Sequence, residues 1–307
     1  MTHRPFLTLT VAVCVVMHFA SHAQSLRFTG GNVANNFSTV TLTLAGPTNT
    51  LIQLQRLGRS NQVWQTVGYG YTGTNGTLTL TNSLDEGIYG YFRAQTTNGT
   101  YRSTNAFGTV AGYLFPGWSM IGNPFAANWV TNIIRNPSEG LLVYKWRNAS
   151  NVFHLITHEF GTWSDTTNLV EQMEGIIVQN PATNTVRYVV QGIFSTNALT
   201  RSLPTGWSLL SSPLYKLTVP SEYRVDTLDT NRLGGFSQLP VRSPGFPLES
   251  KLEQLVGSSS YTLASYSLTN SAWRVGGVVT NIHLGLTEGF WLNKPTNATW
   301  SVSLPIW

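Results

Sequence analysis

The chain has 307 residues, of which only 10% are charged and 12% are aromatic, and its formal net charge is +5. A hydrophobic fraction of 41% is enough to build sizeable cores, which excludes a disordered chain. No dense run of lysine and arginine occurs, which argues against a concentrated basic face for nucleic acid.

The N-terminus has the pattern of a secretory signal peptide. Arg4 precedes an apolar run from Phe6 to Ala20, and Ser21-His22-Ala23 follows as a small-x-small cleavage site. We expect residues 1–23 to be removed, leaving an exported chain without a membrane span, either secreted or held in the periplasm or at the cell surface. Cleavage also removes the one cysteine, and an exported β protein without cysteine is more typical of a bacterium than of a eukaryote.

Residues 24–112 alternate in the manner of short strands separated by glycine, proline and asparagine turns. Six candidates at roughly ten-residue spacing predict a β-sandwich: Val40–Leu44, Leu51–Leu57, Val63–Val67, Thr77–Leu80, Tyr89–Ala94 and Tyr101–Phe107. Trp64 is the expected core anchor, facing the strand that carries Tyr91-Phe92-Arg93-Ala94. Together with Leu54-Gln55-Arg56, these residues resemble the immunoglobulin-like or fibronectin type III modules of secreted bacterial proteins.

The remainder of the chain contains an internal duplication. Gly117-Trp118-Ser119 recurs as Gly206-Trp207-Ser208, and Glu174-Gly175 recurs as Glu288-Gly289. Between these landmarks, Trp146 and Phe153 stand seven apart around a polar turn, as do Tyr266 and Trp273, and we align the two pairs. Landmarks in one order predict two homologous repeats, residues 113–198 and 199–307.

Each repeat is expected to be β-rich with one short helix, so the predicted fold class is all-β. The first helix is predicted at Trp129–Arg135 with Asn128 as N-cap, and the second at Leu248–Val256, ended by Gly257. The second repeat is longer because of an insertion at residues 215–246. The sequence leaves open whether the repeats pack as one domain or two.

The Gly-Trp and Glu-Gly landmarks resemble a β-repeat module found in exported, multi-domain surface proteins of Gram-negative bacteria, where it lies beside immunoglobulin-like domains. The resemblance covers most of residues 113–307. It implies an extracellular role in binding, display or assembly, and no defined activity.

Four landmark residues are also candidates for chemistry. Trp118 and Trp207 could be ligand platforms, but their recurrence in an apolar pattern favours core anchors. Glu174 and Glu288 could be paired catalytic carboxylates, but a polar residue before glycine favours a turn with positive φ.

Metal and cofactor signals are weak, and no cofactor is expected. His154 and His158 point the same way on a strand, with Glu159 and Asp165 nearby, but repeat two has nothing comparable, which favours surface histidines. Asp226, Asp229 and Asn231 lack the spacing of a calcium loop. No Gly-x-Ser-x-Gly motif or mature thiol is present.

The insertion is the favoured place for specific binding, because long irregular segments in compact domains are often functional. Its aromatic and arginine residues suit sugar rings or a protein partner. The candidates are Tyr223, Arg224, Arg232, Phe236, Arg242 and Phe246. A solvated loop, or a lid over a sheet edge, is the alternative.

These patterns favour an exported, non-catalytic binding or adhesion protein whose partner is a glycan or another cell-surface component. A structural spacer or assembly module of the cell envelope is the first alternative. A polysaccharide hydrolase with an unrecognised site is the second.

Overall fold

The computed structural model describes residues 25–57, 63–84, 89–195, 199–211, 224–226, 251–255, 263–269, 272–276, 278–279, 283–285 and 287–302. Within these residues the protein consists of antiparallel strands and one four-residue helix, α1 (Val130–Ile133), which confirms the all-β fold class.

The N-terminal strands form the expected sandwich. Their bounds are β1 Arg27–Val33, β2 Thr39–Ala45, β3 Leu51–Leu57, β4 Trp64–Tyr71, β5 Thr77–Ser83, β6 Tyr89–Thr96 and β7 Asn105–Leu114. The six predicted strands are present, β3 with the predicted bounds and the other five with shifted ends. The sequence prediction missed β1, whose adjacent glycines 30 and 31 interrupt the alternation.

The first repeat and the start of the second follow directly along the chain. Their strands are β8 Gly117–Asn123, β9 Asn128–Trp129, β10 Leu141–Arg147, β11 Val152–Glu159, β12 Thr162–Trp163, β13 Leu169–Val170, β14 Glu174–Asn180, β15 Val186–Ser195, β16 Leu199–Leu203 and β17 Gly206–Ser211. The later strands are β18 Arg224–Asp226, β19 Lys251–Leu255, β20 Leu263–Thr269, β21 Ala272–Val275, β22 Val278–Val279, β23 His283–Gly285, β24 Gly289–Lys294 and β25 Ala298–Val302.

Three sheets form successive layers. Sheet A has the order β1-β2-β5, and sheet B has the order β15-β7-β6-β3-β4. Sheet C has eleven strands in the order β12-β11-β10-β14-β17-β24-β19-β20-β21-β22, with β8 also paired to β14. One core lies between sheets A and B, and a larger core joins sheet B to the inner face of sheet C.

The sandwich and the first repeat share sheet B. β7 runs past residue 112 to Leu114, and it pairs along ten residues with β15, which belongs to the first repeat. The sandwich sheet is therefore completed by a strand from outside residues 24–112. The division of the chain into modules remains a prediction, with this shared strand at its first boundary.

The strand register is the same at the two ends of both predicted repeats. In the first repeat Trp118 pairs with Gln179, and in the second Trp207 pairs with Asn293. Asn293 stands five residues after Glu288, as Gln179 does after Glu174. The Gly-Trp strand therefore pairs with the Glu-Gly strand in one register in both repeats.

The middle of the predicted alignment is wrong. In the second repeat β19 pairs with β24, and Leu252 lies opposite Leu292. In the first repeat β10 pairs with β14 in the same way, and Val143 lies opposite Val178. The second predicted helix is thus replaced, over residues 251–255, by the counterpart of β10. The periodic leucines allowed a helix, but pairing to two neighbouring strands satisfies the backbone of this segment.

The aromatic landmarks shift accordingly. Trp163 faces His158 across β11 and β12, and Trp273 faces Leu268 at the matching position across β20 and β21. Trp273 is therefore the counterpart of Trp163 instead of Phe153. Trp146 does pair with Phe153 across a hairpin, as the sequence predicted.

The two repeats contact each other reciprocally. Gly122 N donates to Thr287 O at 2.7 Å, and Ser211 N donates to Met173 O at 3.0 Å. Gly122 and Ser211 are equivalent positions, as are Met173 and Thr287. This is the pattern of an isologous interface, and it joins both repeats into sheet C as one unit.

The glycines of the Glu-Gly motif allow the backbones of the two repeats to come this close. A Cβ on Gly175 would lie 2.6 Å from Leu210 O, and a Cβ on Gly289 would lie 3.1 Å from Ile121 O. The predicted positive-φ turn lies elsewhere: the φ angles of Met173 and Thr287 are 62° and 61°. Glycine is needed for close backbone approach, and the strained turn comes two residues earlier in both repeats.

The first helix is shorter than predicted and has a different cap. Trp129 occupies the N-cap position without a side-chain hydrogen bond, whereas the Asn128 side chain donates to Ala126 O at 2.7 Å. Val130 and Ile133 are buried in the larger core, as their helical spacing predicted.

We predict that Gly175→Ala destabilises the protein by about 1–3 kcal/mol, because the added methyl overlaps a backbone carbonyl that packing holds in place. Gly289→Ala should cost less, since its nearest atoms lie 3.1 Å away or more. The measurement is urea unfolding, with Gly30→Ala as the control because a Cβ there meets nothing within 4 Å. Equal midpoints for Gly175→Ala and the control would contradict the account.

Candidate binding surface

Sheet C is apolar on both faces. Along β8 the side chain of Ile121 enters the inner core, whereas Met120 and Trp118 belong to a separate cluster on the outer face. β14 behaves alike, with Ile176 inward and Ile177 outward. An antiparallel sheet with one solvated face usually carries polar residues there, so the apolar outer face requires an explanation.

Six aromatic side chains lie next to one another on this outer face. We call them the aromatic row: Trp118, Tyr144, Trp146, Phe153, Trp207 and Trp291. Trp118 and Tyr144 have centroids 5.7 Å apart, Tyr144 and Phe153 5.9 Å, and Phe153 and Trp146 5.1 Å. The rings pack mostly edge to face, an arrangement that aromatic pairs prefer.

Trp291 joins the two halves of the row. It makes near-perpendicular contacts to Trp146 at 5.1 Å, Phe153 at 5.8 Å and Trp207 at 6.0 Å. Trp146 Nε1 also donates to Trp207 O at 3.0 Å. The row therefore crosses from the first repeat to the second, and it exists only because the repeats share one sheet.

Burial varies along the row. Trp291 is buried, four of the rings are half-buried, and Phe153 is 42% exposed. Leu155, directly opposite Tyr144 on the neighbouring strand, is 47% exposed. The prediction that Trp118 and Trp207 are core anchors is therefore wrong in part, because both are half-buried on the outer face while Ile121 and Leu210 occupy the inner core.

Polar side chains border the row at equivalent positions. Gln179 lies opposite Trp118, and Asn293 lies opposite Trp207, each on the same face as its partner. Both amides are partly exposed, and neither has a hydrogen-bond partner within the described part of the chain. Lys251 and Glu253 bring opposite charges to the strand beside Trp291.

The two motif glutamates do not form a solvent-facing pair. Glu174 is buried, with its carboxylate 3.4 Å from Lys145 Nζ and 2.7 Å from the donating Glu171 N. Burial raises the pKa of Glu174, and the nearby charges of Lys145 and Arg201 oppose that shift. Its contacts favour a structural role, as the sequence indicated.

The two histidines proposed as weak metal ligands have different partners. His154 Nε2 lies 3.1 Å from Asp165 Oδ2, and the His158 ring packs against Trp163 with Nδ1 3.1 Å from Ser138 O. The Asp165 carboxylate accepts hydrogen bonds from the Thr167 N–H and hydroxyl, and these bonds lower its pKa to about 2. Among the described residues, no group of three or more potential metal ligands comes together.

The binding residues predicted in the insertion lie outside the described residues, with one exception. Arg224 begins β18, which pairs with β23. Asp226 ends the same strand, so it lies in a β-ladder, while Asp229 and Asn231 are not described. The insertion hypothesis stays a prediction.

The sequence missed Tyr144, Phe153 and Trp291 as members of one surface. Trp146 and Phe153 were recognised as a cross-strand pair, and the alternation of Tyr144 with Trp146 on β10 is a signal for one face. The position of Trp291 beside them had no local signal, because it depends on contact between the repeats.

No protein-family model matches the chain, and no curated protein matches it. Among solved structures, it is similar to a tetra-tandem repeat in the extending region of a large adhesion protein, with 13% identity, a TM-score of 0.21, and coverage of 91% of this chain and 72% of the other. Within the described residues, no helix is long and apolar enough to cross a membrane.

Lys294 yields a pH prediction. Lys294 stands at the position that Asn180 occupies in the first repeat. Its side chain is fully buried, with Nζ 3.4 Å from Gly206 O and 3.5 Å from Ser208 Oγ. Burial lowers its pKa to about 8. Above that pH the folded state loses a proton that the unfolded chain keeps up to about 10.4, so the free energy of unfolding should rise with pH.

The measurement compares the parent protein with Lys294→Met by urea unfolding between pH 7 and pH 10. The variant should be more stable at pH 7, and the difference should shrink toward pH 10 by an amount on the order of 2 kcal/mol. A difference that does not change with pH would show that Lys294 is not buried as a cation with a lowered pKa.

Proposed function

We propose that the protein is an exported, non-catalytic binding protein that holds a carbohydrate chain of a cell surface against the aromatic row. The observation that carries this proposal is six contiguous aromatic rings on one sheet face, bordered by two amides that have no hydrogen-bond partner among the described residues. The N-terminal pattern of residues 1–23 supports export, because it has the regions of a signal peptide.

The row suits a carbohydrate for physical reasons. A sugar ring has an apolar C–H face and a rim of hydroxyls, so it can bury area against an aromatic ring while its hydroxyls meet hydrogen-bonding groups. The amides of Gln179 and Asn293 lie beside the outermost tryptophans and supply both donors and acceptors.

The row is also held in place before any ligand arrives. Each ring packs against at least one neighbour within 6.0 Å, and Trp291 contacts three. Rings fixed in this way lose little conformational entropy on binding, which favours recognition by a surface that is shallow and extended. The extent of the row across both repeats favours a chain of sugars over a single sugar.

The test is a glycan array followed by calorimetric titration of the best-bound oligosaccharide. Phe153→Ala should weaken binding about tenfold, which corresponds to about 1.4 kcal/mol, because this exposed ring has the most surface to offer a ligand. The melting temperature of each variant is measured in parallel, so that lost binding is not confused with lost folding.

Phe160→Ala is the matched control, since Phe160 is 93% exposed and has no ring contact with the row. It should bind as the parent does. Equal binding by Phe153→Ala and the control would exclude the row as the site. A failure to bind any glycan would instead favour the structural spacer of the cell envelope, and turnover of a bound glycan would favour the hydrolase.

A further inference from the structure

One half of the inner face of sheet B is not used by the core. At one end of this face, Leu57 and Tyr91 enter the core that is shared with sheet C. At the other end β3 and β6 carry polar side chains, and the neighbouring strand β4 carries exposed tyrosines. We call these residues the open face: Gln53, Tyr69, Tyr71, Arg93, Gln95 and Arg102.

The register places these side chains on one surface. Gln53 pairs with Tyr69 on one side and with Gln95 on the other, and Gln95 pairs with Arg102 beyond it. Directly paired residues of an antiparallel ladder point to the same side. The open face therefore has a continuous line of paired residues across three strands and the Arg102 segment. Tyr71 lies two residues after Tyr69 on its strand, and Arg93 lies two residues before Gln95 on its strand, so both share this face.

Arg93 is fixed in position with its end group available. Its guanidinium stacks on the Trp64 ring at 4.5 Å, and its Nε donates to Gln55 Oε1 at 2.7 Å. Its two terminal amino groups have no hydrogen-bond partner among the residues that the structure describes. A guanidinium held in this way is ready to bind a carboxylate with two parallel bonds.

Arg93 and Arg102 bring two positive charges to the open face. β3, β4, β6 and residues 97–104 contain no aspartate or glutamate. Burial, and then the charge of Arg102, lower the pKa of Arg93 to about 10, so the two guanidiniums lie close enough to repel each other. An anion between them would relieve that repulsion.

The other side chains indicate what carries the anion. Tyr69 and Tyr71 are 58% and 67% exposed, and they stand side by side on the edge strand β4. Gln95 Nε2 donates to Gln53 Oε1 at 3.0 Å, and the Gln53 amide donates in turn to Thr66 Oγ1, so the amides form an ordered line. This combination suits a sugar chain with carboxylates: its rings can lie on the flat aromatic surface, its hydroxyls can meet the ordered amides, and its carboxylates can bind the cationic end.

We propose that the open face is a second binding site, separate from the aromatic row, and that its ligand is an acidic polysaccharide whose carboxylates bind Arg93 and Arg102 and whose sugar rings contact Tyr69 and Tyr71. The site lies on the sandwich, so it does not depend on the function of the repeats. Two sites on one chain would strengthen attachment to a surface that displays many ligands.

The experiment titrates the full chain with polygalacturonate oligomers, with neutral dextran oligomers of equal length as the reference ligand and polyglutamate as the acidic peptide. Polygalacturonate should bind, dextran should bind this site at least tenfold more weakly, and binding should fall as salt is added. Arg102→Ala and Tyr69→Ala should each weaken polygalacturonate binding about tenfold.

Arg27→Ala removes the same charge from an exposed position on sheet A, and Tyr113→Ala removes another exposed tyrosine. Both should bind polygalacturonate as the parent does, and so should Phe153→Ala. The proposal is overturned if polygalacturonate does not bind at low salt, or if polyglutamate binds as tightly and Tyr69→Ala has no effect. An equal loss in Arg27→Ala would also overturn it, because attraction would then follow net charge.

Discussion

The reciprocal backbone contact between the two repeats is the constraint on which the rest of the structure depends. Gly122 and Ser211 donate to Thr287 O and Met173 O, and Gly175 and Gly289 lie against the carbonyls of Leu210 and Ile121. A side chain at Gly175 would overlap Leu210 O, and one at Gly289 would press closely on Ile121 O. Because the contact is reciprocal, each repeat closes the sheet edge of the other, and neither presents that edge to a foreign strand.

Sheet C and its two faces follow from this contact. The inner face gains Leu210 and Phe290 of the second repeat beside Ile121 and Ile176 of the first, so that the repeats have one core. The outer face gains Trp291 beside Trp146, which makes two short groups of rings into one row. Met173 of the first repeat and Thr287 of the second both have positive φ values. This backbone conformation is strained, so the packing of the interface must compensate for it in each repeat.

Much of the fold could be predicted from local pattern, and the errors have physical causes. The sandwich strands and the Gly-Trp and Glu-Gly landmarks were readable because alternation and turns are local. Residues 251–255 were misread because the spaced leucines fit one face of a helix, whereas in β19 Leu252 and Leu255 lie on opposite faces of a sheet that is apolar on both. Only pairing with β24 decides between the two structures. The middle alignment then failed, and Trp163 was overlooked as the counterpart of Trp273.

The candidate surfaces were less predictable. Trp118 and Trp207 were recognised, but whether they lie on the inner or the outer face depends on which residue of β8 and β17 enters the core. The open face of sheet B was not foreseen at all, since it requires the bulge between Leu54 and Gln55 that brings Trp64 and Tyr69 to one side. Such placements are tertiary, and a single sequence does not contain them in local form.

Native-state hydrogen exchange at the amides of Gly122 and Ser211 tests the central claim most directly. If the repeats close on each other as described, both amides are protected as strongly as amides inside β14 and β24, and both lose protection together in the global unfolding reaction. Exchange of either amide at the rate of an exposed loop, while the strands remain protected, would contradict the reciprocal interface.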